Sequence, residues 1–160
     1  MKVTINQAKE LAVIALQSKL VPMIHGSPAI GKSAIVRQIA KMFNLLLIDV
    51  RLGNHEPSEM SGFPSVRGEK IAYIPTELFP VEGDKIPDGY AGWLVFMDEL
   101  TSATPVMQAA AYKVILDRLV GNKRLHSNVA IIGAGNLETD NAVVFPMSEA
   151  LKSRMVHLEA

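Results

Sequence analysis

Cysteine is absent from the 160 residues, which removes disulfides and thiol chemistry and suits a reducing cytosol. Net charge is missing too: 16 Lys and Arg balance 16 Asp and Glu, so no global field recommends nucleic acid or an anionic membrane as the main partner. No apolar run approaches the length of a membrane span. The N-terminus, where Lys2, Asn6, Gln7, Lys9 and Glu10 interrupt any apolar core, does not read as a signal peptide. Repeats, low-complexity tracts and a basic stripe are also lacking. The expectation is a soluble, cytoplasmic protein with neither membrane nor nucleic acid as partner, long enough for one domain with a real core.

What is present centres on Gly26-Ser27-Pro28-Ala29-Ile30-Gly31-Lys32-Ser33, which fits G-x-x-x-x-G-K-[ST]. Gly26 and Gly31 permit backbone conformations that a Cβ would forbid and a close approach to phosphate. Successive N–H groups can then converge on one anion, and the helix that follows adds its positive end. Lys32 supplies a mobile ammonium for the outer phosphates, and the Ser33 hydroxyl is a ligand for Mg²⁺. The context agrees. Val21-Pro22-Met23-Ile24-His25 reads as a buried strand with Pro22 at its start, and Ile35, Val36, Ile39, Ala40 and Phe43 recur at helical spacing.

Elsewhere, Thr4-Ile5-Asn6-Gln7 has the form of a capping box, with Ala8, Leu11, Ala12, Ala15 and Leu16 following on one helical face. The run Leu45-Leu46-Leu47-Ile48-Asp49-Val50 predicts a strand covered on both faces, as parallel sheets produce. Residues 51–92 are broken by Pro57, Gly62, Pro64, Pro75, Pro80 and Gly83. Within them, residues 65–73 fit a small hairpin turning at Gly68-Glu69, and a connection this long is either functional or an irregular surface loop. Trp93-Leu94-Val95-Phe96-Met97-Asp98-Glu99 is an apolar strand that places two carboxylates at the edge where open parallel sheets bind ligands. After a phosphate loop, Asp98 is the expected Mg²⁺ acid, and Glu99 the candidate to polarise an attacking water.

Thr104-Pro105 predicts an N-cap and first helical position, with Val106, Ala109, Ala110, Tyr112, Ile115 and Leu116 as the apolar surface and Gly121-Asn122 as the stop. Arg118, Lys123 and Arg124 around that stop read as solvated charges or a subunit boundary. Residues 129–136 form a fourth buried strand ending in Asn136, whose amide can orient a water or a γ-phosphate oxygen. A short helix over 148–153 and a fifth strand from Met155 follow, with Arg154 at their junction.

With these residues in place the chain resembles the core of an AAA+ ATPase and, within that superfamily, the MoxR-like group. The resemblance is carried by residues 26–33 as Walker A, by Leu94-Val95-Phe96-Met97-Asp98-Glu99-Leu100 as Walker B, by Gly135-Asn136 as sensor 1, and by Glu149-Ala150-Leu151-Lys152-Ser153-Arg154 as the arginine-bearing segment. Residues 105–108 with 115–118, and the loop 56–64, are also similar to that group. The resemblance implies an α/β, three-layer P-loop NTPase with a five-stranded parallel sheet in the order 5-1-4-3-2. It implies ATP and Mg²⁺ as cofactors, with Gly26 to Ser33 binding nucleotide, Ser33 and Asp98 at the metal, and Glu99 and Asn136 as catalytic residues. It further implies a homo-oligomeric ring, usually a hexamer, in which Arg154 reaches the γ-phosphate held by a neighbour. The implied activity is ATP hydrolysis coupled to remodelling or assembly of a protein client. Family members continue into a small helical lid, so residues 1–160 are expected to be one core domain with its C-terminal lid missing. A P-loop small-molecule kinase and a nucleotide-gated binding module with little hydrolysis are the competing readings. The adjacent Asp98 and Glu99, with Asn136, favour water over an acceptor hydroxyl.

Overall fold

The Thr4 hydroxyl accepts the Gln7 N–H at 3.2 Å and the Gln7 side chain accepts the Thr4 N–H at 2.9 Å, a reciprocal cap that starts α1 (Ile5–Gln17). The computed structural model describes residues 1–140 and 143–160. After α1 come β1 (Val21–His25), α2 (Lys32–Met42), β2 (Leu45–Arg51), α3 (Pro57–Ser61), β3 (Phe63–Arg67), β4 (Lys70–Ile74) and β5 (Gly92–Asp98). Then follow α4 (Pro105–Tyr112), β6 (Leu119–Val120), β7 (Lys123–Arg124), β8 (Val129–Gly135), α5 (Glu149–Lys152) and β9 (Met155–Glu159). Among the described residues, no helix is long and apolar enough to cross a membrane.

Five of these strands make one sheet in the order β2-β5-β8-β1-β9, with every neighbouring pair parallel. Numbered among themselves in chain order, they run 5-1-4-3-2 from the β9 edge, an arrangement that right-handed crossovers generate. Alternation along the strands divides the apolar side chains between two faces. Ile24, Leu94, Phe96 and Ile132 pack with Ala8 and Ala12 of α1 and Ile35, Val36 and Ile39 of α2. Met23, Val95, Met97 and Ile131 pack on the other side with Met107 and Ala111 of α4. Helices thus cover both faces of the sheet. Fully burying one of the Val, Leu, Ile, Phe or Met side chains among them contributes about 1.5–3 kcal/mol relative to exposure.

Four expectations are corrected. The run 45–50 is a parallel strand, but it lies at the sheet's free edge and Leu45 to Ile48 are only half-buried. Open clefts flank it on both faces, one lined by Leu46 and Ile48 and the other by Leu45 and Leu47. The α4 helix starts at Pro105 with Thr104 accepting the Met107 N–H, yet it buries Met107, Gln108 and Ala111 while Val106 is 66% exposed. It also ends early: a π-helical turn, Lys113–Asp117, leads to Arg118 in the left-handed region, and Gly121 and Asn122 form the turn between β6 and β7. Arg118 is not a solvated charge, because its guanidinium donates to the carbonyls of His126 and Val129 at 2.9 and 2.8 Å. The hairpin is present, with β3 and β4 pairing across Gly68-Glu69.

A histidine pair ties the base of the phosphate loop to the last strand. His157 Nε2 lies 2.8 Å from the Lys152 carbonyl, which can only accept, so the proton is assigned to Nε2. Nδ1 of His157 is then the acceptor for His25 Nε2–H at 2.8 Å. Burial, reinforced by His157, lowers the His25 pKa from 6.5 to about 4. Across that interval the unfolded chain takes up a proton that the native chain refuses, so this group's effect is to lower stability as pH falls from 6.5 to about 4, with no further loss below. Urea midpoints measured through this window should fall more steeply for the native chain than for His25→Gln. Parallel slopes would remove the assignment of a half-buried neutral imidazole.

Candidate active site

The loop after β1 rises from an interior strand of the sheet, between β8 and β9. Its first N–H, at Gly26, donates to the Gly135 carbonyl at 3.1 Å, which fastens it to the end of β8. Ala29 and Gly31 both adopt positive φ, 65° and 105°, and Gly31 is the cap residue of α2 without a side chain to occupy the helix end. No acidic residue stands in the first turn of α2, so the positive end of the helix faces the loop uncompensated.

Lys32 is 9% exposed. Its ammonium donates to the carbonyls of Gly26 and Ser27 at 2.6 and 3.0 Å and to Asn136 Oδ1 at 3.3 Å. Burial lowers its pKa, and Asp98 and Asp140 oppose that shift. Asp98 closes β5 at 8% exposure. Burial raises its pKa, against a hydrogen bond from the Glu99 N–H to its Oδ1 at 2.9 Å. Glu99 itself sits at φ 60°, half-exposed, with Oε1 3.7 Å from Nε of Arg51. The strand register explains this neighbour, since Arg51 stands opposite Asp98 where β2 and β5 end.

Asn136 is held by a side chain that motif reading did not find. Its N–H donates to Thr101 Oγ1 at 3.0 Å and the Thr101 hydroxyl donates back to its carbonyl at 3.3 Å. A Cβ at Gly135 would lie 2.5 Å from Thr101 Oγ1, so glycine before Asn136 is what lets Thr101 approach. Asp140 is a second such residue. It accepts the Ser27 hydroxyl at 3.0 Å through Oδ1 and the Leu137 N–H at 3.2 Å through Oδ2, strapping the turn after Asn136 onto the phosphate loop.

Pro28, Ala29, Gly31, Lys32 and Ser33 converge with Asp98, Glu99 and Asn136 around a pocket of about 340 Å³. Gly26 and Ser27 lie behind it as acceptors for Lys32, and Ile30 closes the loop through its N–H to the Ser27 carbonyl. A larger cleft of about 930 Å³ runs beside β2 under the β3–β4 hairpin, lined by Ile48, Arg67, Phe79 and Trp93 among others. None of the strand-end carboxylates or loop residues reaches it, so volume does not decide between the two. Arg154 is absent from the pocket. The pairing of Met155 with Val21 puts it at the opposite edge of the sheet from the loop of its own chain.

The donor set bears on the metal. Among the described residues there is no group of three or more His, Cys, Asp or Glu side chains able to hold an ion. Ser33 and Asp98 facing one pocket suit a hard cation that keeps waters and takes its other oxygens from phosphate, as Mg²⁺ does.

No protein-family model matches the chain, and no curated protein does. Solved structures do. A protein of Cytophaga hutchinsonii named only provisionally as an ATPase superposes with TM-score 0.64 at 14% identity, over 97% of this chain and 45% of its own. NtrX from Brucella abortus solved with ATP gives TM-score 0.61 at 17% identity, over 98% and 35% of the two chains. Its complex with ADP gives 0.57 at 20% identity, over 96% and 34%. The chain has a P-loop ATPase fold. It spans less than half the length of these structures, and at such identities the likeness is one of fold. Open parallel sheets bind ligands outside the carboxyl ends of their strands, and the pocket between the glycine loop and the ends of β5 and β8 lies at that edge.

Proposed function

We propose that the chain binds ATP with Mg²⁺ and hydrolyses it as an AAA+ ATPase of MoxR-like type, acting in a homo-oligomer on a protein client. The observation that carries this reading is the convergence of Lys32, Ser33, Asp98, Glu99 and Asn136 on one pocket. The binding of ADP and ATP by NtrX, which shares the fold, supports the choice of nucleotide.

In this reading the loop N–H groups and the start of α2 receive the phosphates, and Lys32 exchanges the Gly26 and Ser27 carbonyls for phosphate oxygens. Ser33 and Asp98 hold Mg²⁺, which supplies charge neutralisation on the outer phosphates. Asn136, fixed by Thr101, orients the attacking water. Glu99 takes that water's proton as its oxygen bonds to the terminal phosphorus, and the bond from that phosphorus to the bridging oxygen breaks, leaving ADP and phosphate. Arg154 serves the site of a neighbouring copy, since the sheet keeps it away from its own.

The test is formation of ADP and phosphate by the 160-residue chain with Mg²⁺-ATP and no added acceptor, over a series of protein concentrations, with molar mass followed by light scattering. Phosphate release that rises faster than protein concentration, alongside a growing mass, is the expected result. ADP formation only when an acceptor alcohol is supplied would replace the reading with a kinase. A monomer at every concentration with undiminished turnover would remove Arg154 from the mechanism.

A further inference from the structure

Arg37 lies one helical turn after Ser33, and side chains on a helix lean toward its N-terminus. That lean carries the Arg37 side chain toward Ser33, and Arg37 lines the same pocket of about 340 Å³ as Lys32, Asp98 and Glu99. The charges around this space are unevenly committed. Lys32 spends its donors on Gly26, Ser27 and Asn136, and Glu99 is paired with Arg51 at 3.7 Å. Arg37, exposed at the rim, enters no ion pair among the described residues, although Asp98 and Glu99 line the same pocket.

From this arrangement we infer that Arg37 is a specificity-determining residue, contacting the terminal phosphate of a nucleoside triphosphate and favouring triphosphate over diphosphate. The inference rests on the nucleotide reading above and adds a cation supplied within the chain. Lys32 is bonded to the loop carbonyls, whereas Arg37 reaches the same pocket from α2. A guanidinium there offers a planar pair of donors to two oxygens of one phosphoryl group. A diphosphate held by the loop lacks the group that would meet it.

Calorimetric titration of the full chain with Mg²⁺ and a non-hydrolysable ATP analogue, and separately with Mg²⁺ and ADP, tests the inference. Arg37→Ala should lose about ten-fold in affinity for the triphosphate, or about 1.4 kcal/mol, and stay within about two-fold of native for ADP. Arg37→Lys should recover part of the loss, since charge without the planar fork keeps some attraction. The unliganded melting temperature of Arg37→Ala should match the native value, because the side chain is exposed and enters no ion pair among the described residues, and this separates a binding defect from a folding one. Equal losses for both nucleotides, or none for either, would overturn the inference while leaving nucleotide binding in place. A native chain that binds neither ligand would overturn the nucleotide reading and this inference with it.

Discussion

Glu99→Gln is expected to keep nucleotide affinity within about two-fold of native and to lose about a hundred-fold or more of ATP turnover, the range ascribed to a positioned general base. The amide preserves the side chain's length and one acceptor oxygen but cannot take a proton from water. Little else should change. The backbone conformation at φ 60° is held by the N–H bond to Asp98, which the substitution leaves alone, and neither residue type is β-branched. The ion pair with Arg51 joins two half-exposed groups at 3.7 Å, and such pairs contribute about 0–1 kcal/mol, so its loss does not threaten the fold. Phosphate release under saturating Mg²⁺-ATP, paired with a binding titration on the same preparation, reads the two quantities separately. Turnover at the native rate would end the assignment of Glu99 as base, and joint loss of binding and turnover would make it a structural member of the pocket.

The contrast between Glu99 and its surroundings shows how far the sequence reaches. The strand Val21–His25, the loop and the burial of Ile35, Val36 and Ile39 were legible because each depends on local signals: an apolar run, a glycine pattern, a 3.6-residue period. Asp98, Glu99 and Asn136 could be placed near the loop because parallel strands end on one edge. The coverage of β2 was not legible, since an apolar run looks the same at an edge as at the centre, and only the sheet order decides which it is. Nor was the buried face of α4. Val106 and Met107 are adjacent apolar residues about 100° apart on a helix, and which of them turns inward is set by what the helix packs on. Thr101, Asp140 and Arg51 were missed for a related reason. Each acts on a residue distant in sequence, at separations of 35, 113 and 48 positions from Asn136, Ser27 and Glu99. Arg51 alone left a trace, as a charged residue closing an apolar strand in register with Asp98.

Lys32→Ala is expected to weaken ATP binding by about a hundred-fold or more, and ADP binding by less, because charge-assisted hydrogen bonds to the outer phosphates at about 1.5–3 kcal/mol each are lost, two of them with a triphosphate. Its effect on the unliganded chain is smaller and comes from different groups. The Gly26 and Ser27 carbonyls lose their donor, but they belong to an open loop and can turn to water. Asn136 keeps its bonds to Thr101 when its Oδ1 is released from Lys32. Removing the lysine also relieves the burial that holds its pKa down, which offsets part of that cost. Melting curves with and without Mg²⁺-ATP distinguish the two effects. At a nucleotide concentration of about one hundred times the native dissociation constant, ligand stabilises the native chain by about 2.7 kcal/mol. A hundred-fold weaker variant at the same concentration gains only about 0.4 kcal/mol by the same relation. The native curve should therefore move clearly on adding nucleotide and the variant's barely at all, from nearly the same starting midpoint. A variant that still shifts with ATP as the native chain does would show that the pocket holds phosphate without Lys32, and a starting midpoint far below native would show that the lysine's bonds to the loop carry stability instead of affinity.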